Sequence, residues 1–452
     1  MRLPEFWKTY LAVVVAGGIV AYSLLVEWNK PDTGDAEPKE KVFALDKAKV
    51  GELTIDPAEG EAIKLVREGT GWKMTAPQAV PADTPAVDSM LSSLESLEIE
   101  EVVLENATNL SDFGLDQPSL TVAALSQGSP EPAKLIVGAK LADGSGVYAK
   151  RPASARVFTV PSWSLSSFEK EPFDLRDRDL LHVKREDVKA LEVTGPEGSY
   201  ALARGEKDEW AFTEPVATRA GRWSVDGLLG ALESLRMESV AAEAAEDLER
   251  FGLVRPARTV TVTLADGSAK TLEIGDSAGD KKWNAREKGS PLVAVVPGAL
   301  VDDLAKGMAE LRAKRLLEVA TYDVEGFDVV SGADKKVFAK STTKDDDGLE
   351  KARWKRTAPD AKDLETNTVE DALFKIGGIE VAKFHDRPKE AAAYGLDAPY
   401  FKVVLRMGAK GEALVELGRK DGAVYARRPG DEAVLELDAA KAEELTKAFG
   451  EL

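Results

Sequence analysis

Cysteine is absent from all 452 residues, and histidine occurs only twice, as His182 and His385. The first absence excludes disulfides, thiolate nucleophiles, cysteine-ligated metal sites and a lipid-modified N-terminal cysteine. The second leaves most hydrolytic triads and zinc sites without their usual residues. An excess of positive charge is missing too: 60 Lys and Arg against 79 Asp and Glu give a net charge of −19. Binding a phosphate backbone needs clustered cations, so no nucleic acid is expected as a partner. There is no Gly-x-Ser-x-Gly, Walker loop, dinucleotide fingerprint or His-Glu-x-x-His in the chain, so the common catalytic and cofactor motifs are lacking. No catalytic, cofactor-binding or metal-binding residue is assigned, and the chain is not expected to be an enzyme.

Long apolar runs are also scarce. Only Thr9 to Val26 is uncharged and rich in Leu, Val, Ala and Ile, long enough for a transmembrane helix. Trp7 and Trp28 flank it, 28 − 7 = 21 residues apart. That separation is ~31 Å in a helix, close to the ~30 Å of bilayer hydrocarbon, with tryptophan at both interfaces. The rival reading is a cleaved signal peptide, but the run ends in Leu24-Leu25-Val26-Glu27-Trp28 without a small-residue cleavage site, which favours an uncleaved anchor. Arg2 and Lys8 precede it, whereas Glu27, Asp32, Asp35 and Glu37 come after it. The positive-inside rule then predicts a single-pass protein of the inner (cytoplasmic) membrane, its N-terminus cytoplasmic and everything beyond extracytoplasmic. Residues 29–41 carry two prolines, one glycine and many charges, which reads as a linker.

Beyond the linker, one pattern is written three times. Trp72, Trp210 and Trp354 each lead to a Pro five residues on (Pro77, Pro215, Pro359) and then to an apolar series at helical spacing that begins at Val87, Val225 and Val369. A corner comes next: Phe113-Gly114-Leu115 with Pro118, Phe251-Gly252-Leu253 with Pro256, and Tyr394-Gly395-Leu396 with Pro399. The Trp-to-corner-glycine distances are 114 − 72 = 42, 252 − 210 = 42 and 395 − 354 = 41 residues. From there to the glycine that closes a strand-like run (Gly138, Gly275, Gly418) is 24, 23 and 23. A period of this length, well beyond a solenoid unit, gives each copy a core of its own. The boundaries are 1–28 for the anchor, 29–41 for the linker, and 42–181, 182–317 and 318–452 for three repeat domains.

Within the first copy, short strands are expected near Val50–Ile55, Ala62–Val66 and Trp72–Met74, followed by a helix from Pro81-Ala82-Asp83-Thr84 to Leu97 with Asp83 as N-cap. Glu101–Leu104 and four strands between Leu120 and Val160 come next, then a closing helix from Ser162 to Glu169. The connections are too short to force parallel pairing. The fold class is therefore α+β: an N-terminal transmembrane helix, then three tandem repeats of a mainly antiparallel sheet, each with one or two packed helices. Leu175-Arg176-Asp177-Arg178-Asp179-Leu180-Leu181 and Leu311-Arg312-Ala313-Lys314-Arg315-Leu316-Leu317 repeat at the junctions, which predicts adjoining domains. The third copy carries an insertion at Lys344-Asp345-Asp346-Asp347-Gly348. It lacks the ligand spacing of a calcium loop and reads as a solvated hairpin tip.

The corner residues are assigned a structural role, since glycine supplies a backbone angle that other residues resist and proline ends the element. Tyr148-Ala149-Lys150-Arg151, Trp283-Asn284-Ala285-Arg286 and Tyr425-Ala426-Arg427-Arg428 alternate aromatic and cation. Tyr148, Lys150, Arg151, Arg286, Tyr425, Arg427 and Arg428 thus form a candidate interaction strip, against the plainer reading of charged, solvated edge strands.

The pattern resembles the bacterial domain of unknown function 4340 family. The residues that carry the likeness are Trp72-Lys73-Met74-Thr75-Ala76-Pro77, Pro81-Ala82-Asp83, Phe113-Gly114-Leu115-Asp116 with Pro118, Leu135-Ile136-Val137-Gly138 and Val147-Tyr148-Ala149-Lys150-Arg151. Tyr394-Gly395-Leu396-Asp397 with Pro399 repeats the corner, whereas the second copy departs with Arg219-Ala220-Gly221 and Trp283. The resemblance implies a membrane-anchored bacterial envelope protein accessory to ABC-type export systems of the gliding-motility kind. The expected function is a periplasmic scaffold or adaptor that binds a protein partner. The alternative is an envelope-polymer hydrolase acting through Asp/Glu carboxylates.

Overall fold

A computed structural model describes residues 39–452 except 207, 318 and 345–349. The anchor Thr9–Val26, most of the linker and the Asp345–Gly348 tip lie outside the described residues. Among the described residues, no helix is long and apolar enough to cross a membrane. The chain divides into two compact units, Met1–Asp177 and Arg178–Leu452.

The first unit is built on one sheet of strands β1 (Val50–Pro57), β2 (Ile63–Glu68), β3 (Gly71–Ala76), β4 (Val80–Ala82), β5 (Glu101–Leu104), β6 (Leu120–Ser126), β7 (Ala133–Lys140), β8 (Gly146–Lys150) and β9 (Val157–Pro161). Their order is β4-β3-β2-β1-β6-β7-β8-β9-β5, and the pairings are antiparallel. Alternate residues such as Leu53, Ile55, Leu65, Met74 and Val122 are buried, as period-two side-chain alternation requires of a sheet with one covered face. The cover is helix α1 (Thr84–Ser96), which buries Val87, Met90, Leu91 and Leu94 and is capped by the Asp83 carboxylate accepting the Ala86 N–H. A 3₁₀ segment, Ser162–Phe168, adds Leu165 and Phe168 to the same core. Truncating such a leucine to alanine typically costs about 2–5 kcal/mol.

Two expectations are corrected here. The opening strands number four rather than three, because Val80–Ala82 pairs with β3 as a sheet edge before the helix begins. The closing helix expected from Ser162 to Glu169 is instead a 3₁₀ segment, Ser162–Phe168. Glu101–Leu104 is a strand as expected, and it lies at the opposite edge, paired with β9.

The second unit contains the same sheet twice, from Val188 to Pro297 and from Gly326 to Leu437, each with nine strands in the equivalent order. Helices Arg222–Glu233 and Thr366–Gly377 take the place of α1. The closing element changes from copy to copy. It is a 3₁₀ segment in the first, two short helices (Gly298–Leu304 and Met308–Leu311) in the second, and one helix (Ala439–Glu451) in the third. Trp72, Trp210 and Trp354 are all buried in their cores. A cation lies over each ring: Arg67 at 4.4 Å, Arg204 at 5.6 Å and Lys340 at 5.8 Å from the ring centroid.

Candidate functional site at the repeat edges

The corners are internal structure. Gly114, Gly252 and Gly395 have φ of +65°, +69° and +65°, the left-handed region that side chains disfavour by about 1–2 kcal/mol. The regular spacing to the later glycine also has a cause. A methyl group on Gly138, Gly275 or Gly418 would collide with the carbonyl oxygen of Phe113, Phe251 or Tyr394. The two glycines of each copy therefore let a turn and a strand touch backbone to backbone. Leu115, Leu253, Leu396 and Tyr394 are buried. Phe113, Phe251, Pro118, Pro256 and Pro399 are half-buried, so the corner aromatic is a complete plug only in the third copy.

The residues of the candidate strip are used differently from copy to copy. Tyr148 sets its ring edge-on to Phe113, and Tyr425 to Tyr394, each with centroids 5.0 Å apart. Lys150 is half-buried, and Arg151 donates to the Val42 carbonyl at 3.3 Å. Arg286 pairs with Glu273 at 2.7 Å, both side chains largely covered. Arg427 is exposed, whereas Arg428 is 2% exposed. The alternation that suggested an interaction strip therefore holds Arg151 and Arg286 in contacts within their own copies.

Arg428 leads to the feature that the sequence did not reveal. Its Nε and Nη2 grip one oxygen of Asp431 at 2.9 and 2.6 Å, and its Nη1 donates to the carbonyls of Ala313 and Arg315. The side chains of this pair are 1% and 0% exposed. The other Asp431 oxygen accepts the Arg219 N–H at 2.8 Å, and the Glu432 N–H donates to the Ala217 carbonyl at 2.8 Å. A loop of the third copy is thereby fastened to the edge strand Thr218–Arg219 of the second. Removing one partner from such a buried pair typically costs about 3–5 kcal/mol.

The junction segment fills the same edge. Gly221 N–H donates to the Leu311 carbonyl at 2.7 Å, and Ala313 N–H to the Arg219 carbonyl at 3.0 Å. Arg312 then extends into the third copy, pairing with Asp386 and lying 4.4 Å over the Phe384 ring. In the first unit the equivalent edge is covered in the same manner: Asp83 N–H donates to the Leu175 carbonyl and Asp177 N–H to the Pro81 carbonyl, both at 2.9 Å. The third copy differs. Its edge strand Lys362–Leu364 pairs with Glu350–Ala358 on one side, and among the described residues no strand pairs with the other.

Two further polar groupings lie in the third copy. His385 Nε2 is 2.8 Å from a Glu436 oxygen, beside the rings of Tyr394 and Tyr425 at 5.6 and 5.8 Å. This adds a histidine and a carboxylate to an aromatic pair like that of the first corner. An open cavity of about 370 Å³ is lined by Glu325, Gly326, Arg406, Met407, Gly408 and Glu412. Its one cation, Arg406, is engaged with Asp328 and with the Phe338 carbonyl. Burial alone would raise the Asp328 carboxyl, but hydrogen bonds from Arg406 and Lys335 hold it below the ordinary range.

Three copies of one antiparallel sheet, the second and third joined at their edges, define a tandem-repeat α+β protein. The chain belongs to the family described as "Domain of unknown function (DUF4340)", which matches residues 72–220, 210–399 and 354–452, the three matches starting at the three core tryptophans. No curated protein matches it. Among solved structures it is similar to a DNA polymerase sliding clamp from Pseudomonas aeruginosa, at 7% identity over 87% of this chain and 92% of that one, with a TM-score of 0.16. It is also similar to a putative DNA polymerase III beta subunit from Eubacterium rectale, at 8% identity over 87% and 92%, with a TM-score of 0.14. At those scores neither likeness carries an argument about fold or partner.

Proposed function

We propose that the chain is a membrane-anchored extracytoplasmic scaffold that binds a protein partner of the envelope. An ABC-type export system is the partner class to which the family resemblance points. The observation that supports this reading best is how the distinctive ionic groups are used. Arg312–Asp386 and Arg428–Asp431 hold the third copy against the second, as in a scaffold whose copies keep a fixed spacing. A hydrolase would instead set a carboxylate pair about a cleft in one copy.

The test is to cross-link the full chain in membranes, purify it in detergent and identify what co-purifies by mass spectrometry. A recurrent membrane or envelope protein at near-stoichiometric yield, together with retention of the chain in the membrane after a carbonate wash, is the expected result. Release by carbonate, or a chain recovered alone after cross-linking, contradicts the reading.

A further inference from the structure

We infer that the outer side of Lys362–Leu364 is a docking edge for an extended, cation-bearing segment of a partner protein, bound by strand addition. The argument starts from equivalence. Ala82 opposes Trp72 across the ladder as Leu364 opposes Trp354, and the Ala220 N–H donates to the Trp210 carbonyl. In an antiparallel ladder, alternate residues point their N–H and C=O groups to opposite sides. Residues 81 and 83, and 219 and 221, therefore point outward, and both pairs are met by a junction segment. The same groups in the third copy belong to Asp363 and Glu365. Among the described residues no backbone partner meets the Asp363 N–H and carbonyl or the Glu365 N–H, whereas the Glu365 carbonyl accepts the Thr368 and Val369 N–H groups of the helix that follows.

The nature of the occupant is read from the two segments that fill the sister edges. Each leaves a short helical turn at its leucine, turns extended at the arginine, and reads Leu-Arg-x followed by a further cation, in Leu175-Arg176-Asp177-Arg178 and Leu311-Arg312-Ala313-Lys314. Charge points the same way. Asp363 and Glu365, both outward on the third edge, select for cations in whatever lies beside them, and Leu364 between them is only half-buried. Val80 and Thr218 are buried where the third copy exposes Lys362. A charged edge resists indiscriminate pairing while it is empty, which suits a site that is filled reversibly. Strand addition takes affinity from main-chain hydrogen bonds and specificity from the flanking side chains. The biological use of the edge rests on the scaffold reading; its geometry does not.

The probe is the N-acetylated peptide Leu-Arg-Ala-Lys-Arg-Leu-Leu, the sequence of residues 311–317, titrated into the full chain in detergent. Saturable binding is expected, with slowed hydrogen exchange at Asp363 and Glu365. N-methylation of the peptide's alanine nitrogen, which removes the donor used at Arg219, should weaken binding about tenfold or more. The double variant Asp363→Lys, Glu365→Lys should weaken it about tenfold by charge reversal. Arg219 at the equivalent position of the second copy shows that a cation there is compatible with the fold. No binding, equal binding of the N-methylated peptide, or unchanged exchange at Asp363 overturns the proposal. Self-association of the full chain that protects Asp363 and is not competed by the peptide would also overturn it, assigning the edge to a second copy. Failure here with a partner still recovered from membranes removes the edge and leaves the scaffold reading intact.

Discussion

The strands Thr218–Arg219 and Lys362–Leu364 hold the same place in two sister sheets and meet opposite circumstances. The first is roofed by Leu311–Ala313 and pinned by Asp431. The second has no strand on its outer side among the described residues, and Lys362, Asp363 and Glu365 are exposed. Their backbones are alike; the surroundings and the side chains differ. Where the edge is filled, residues facing the core are small and buried, as with Thr218 and Ala220. Where it is open, charge takes over, as edge strands require if they are not to pair indiscriminately. The position of a strand in the repeat does not by itself say whether it is an interface.

The most direct way to break the filled edge is Asp431→Ala. It leaves the Arg428 guanidinium buried without its carboxylate and frees the Arg219 N–H, and the expected loss of stability in Arg178–Leu452 is about 3–5 kcal/mol. Chemical denaturation of the full chain, followed by exchange in peptides from each unit, should show the loss there and leave Met1–Asp177 unchanged. A loss below about 1 kcal/mol would mean that the pair contributes no more than a surface salt bridge.

Next in size is Gly395→Val. It places a side chain at φ +65° and drives its Cβ to 2.5 Å from the Arg419 carbonyl. The backbone term alone is about 1–2 kcal/mol, and the close approach adds to it. Asp143→Val on the exposed Asp143-Gly144 tip loses only the hydrogen bonds to Ser145 and should stay within about 1 kcal/mol, the net value of such bonds at a surface. Thermal scans of both variants check the contrast; equal shifts would deny the corner its special role.

The smallest effect concerns Tyr200, which is 6% exposed and has no hydrogen-bond partner for its hydroxyl among the described residues. Burial pushes it up to about 12 from 10.0. The folded chain therefore favours the neutral phenol, so the stabilisation is complete below pH 10 and is lost as pH rises from 10 to 12. That difference corresponds to at most about 3 kcal/mol. Tyr200→Phe should flatten that alkaline limb and leave stability at pH 7 equal or about 1 kcal/mol higher, because an unmet buried hydroxyl is removed. Denaturation midpoints at pH 7, 10 and 11.5 decide it; an unchanged limb would place the titration elsewhere.

Much of the fold was legible in the sequence because it is written in local patterns. Alternation marked the strands, the apolar series at three- and four-residue steps marked the helices, and Asp83 marked a helix start that the structure keeps. The positive φ of the corner glycines followed from one residue type recurring in one setting. What stayed hidden depends on distant partners. Val80–Ala82 is three residues long and ends at the helix cap, so the sequence reads as the approach to a helix, and only β3 makes it a strand. The destination of Glu101–Leu104 is fixed by β9, more than fifty residues later. Arg428 looked like part of a basic strip because its neighbours alternate with aromatics. Its true partners include a carbonyl 115 residues away, which no local pattern encodes.

The measurement that bears most directly on the contrast between the two edges is residue-resolved amide exchange on the full chain, comparing Arg219 and Gly221 with Asp363 and Glu365. The first two amides donate to Asp431 and to the Leu311 carbonyl, and should exchange about a hundredfold or more slowly than the second two, because they open only when the Asp431 loop and the junction segment leave the edge. Equal protection of the two pairs in the isolated chain would contradict the account, since it would mean that the third edge is already covered or that the second is not.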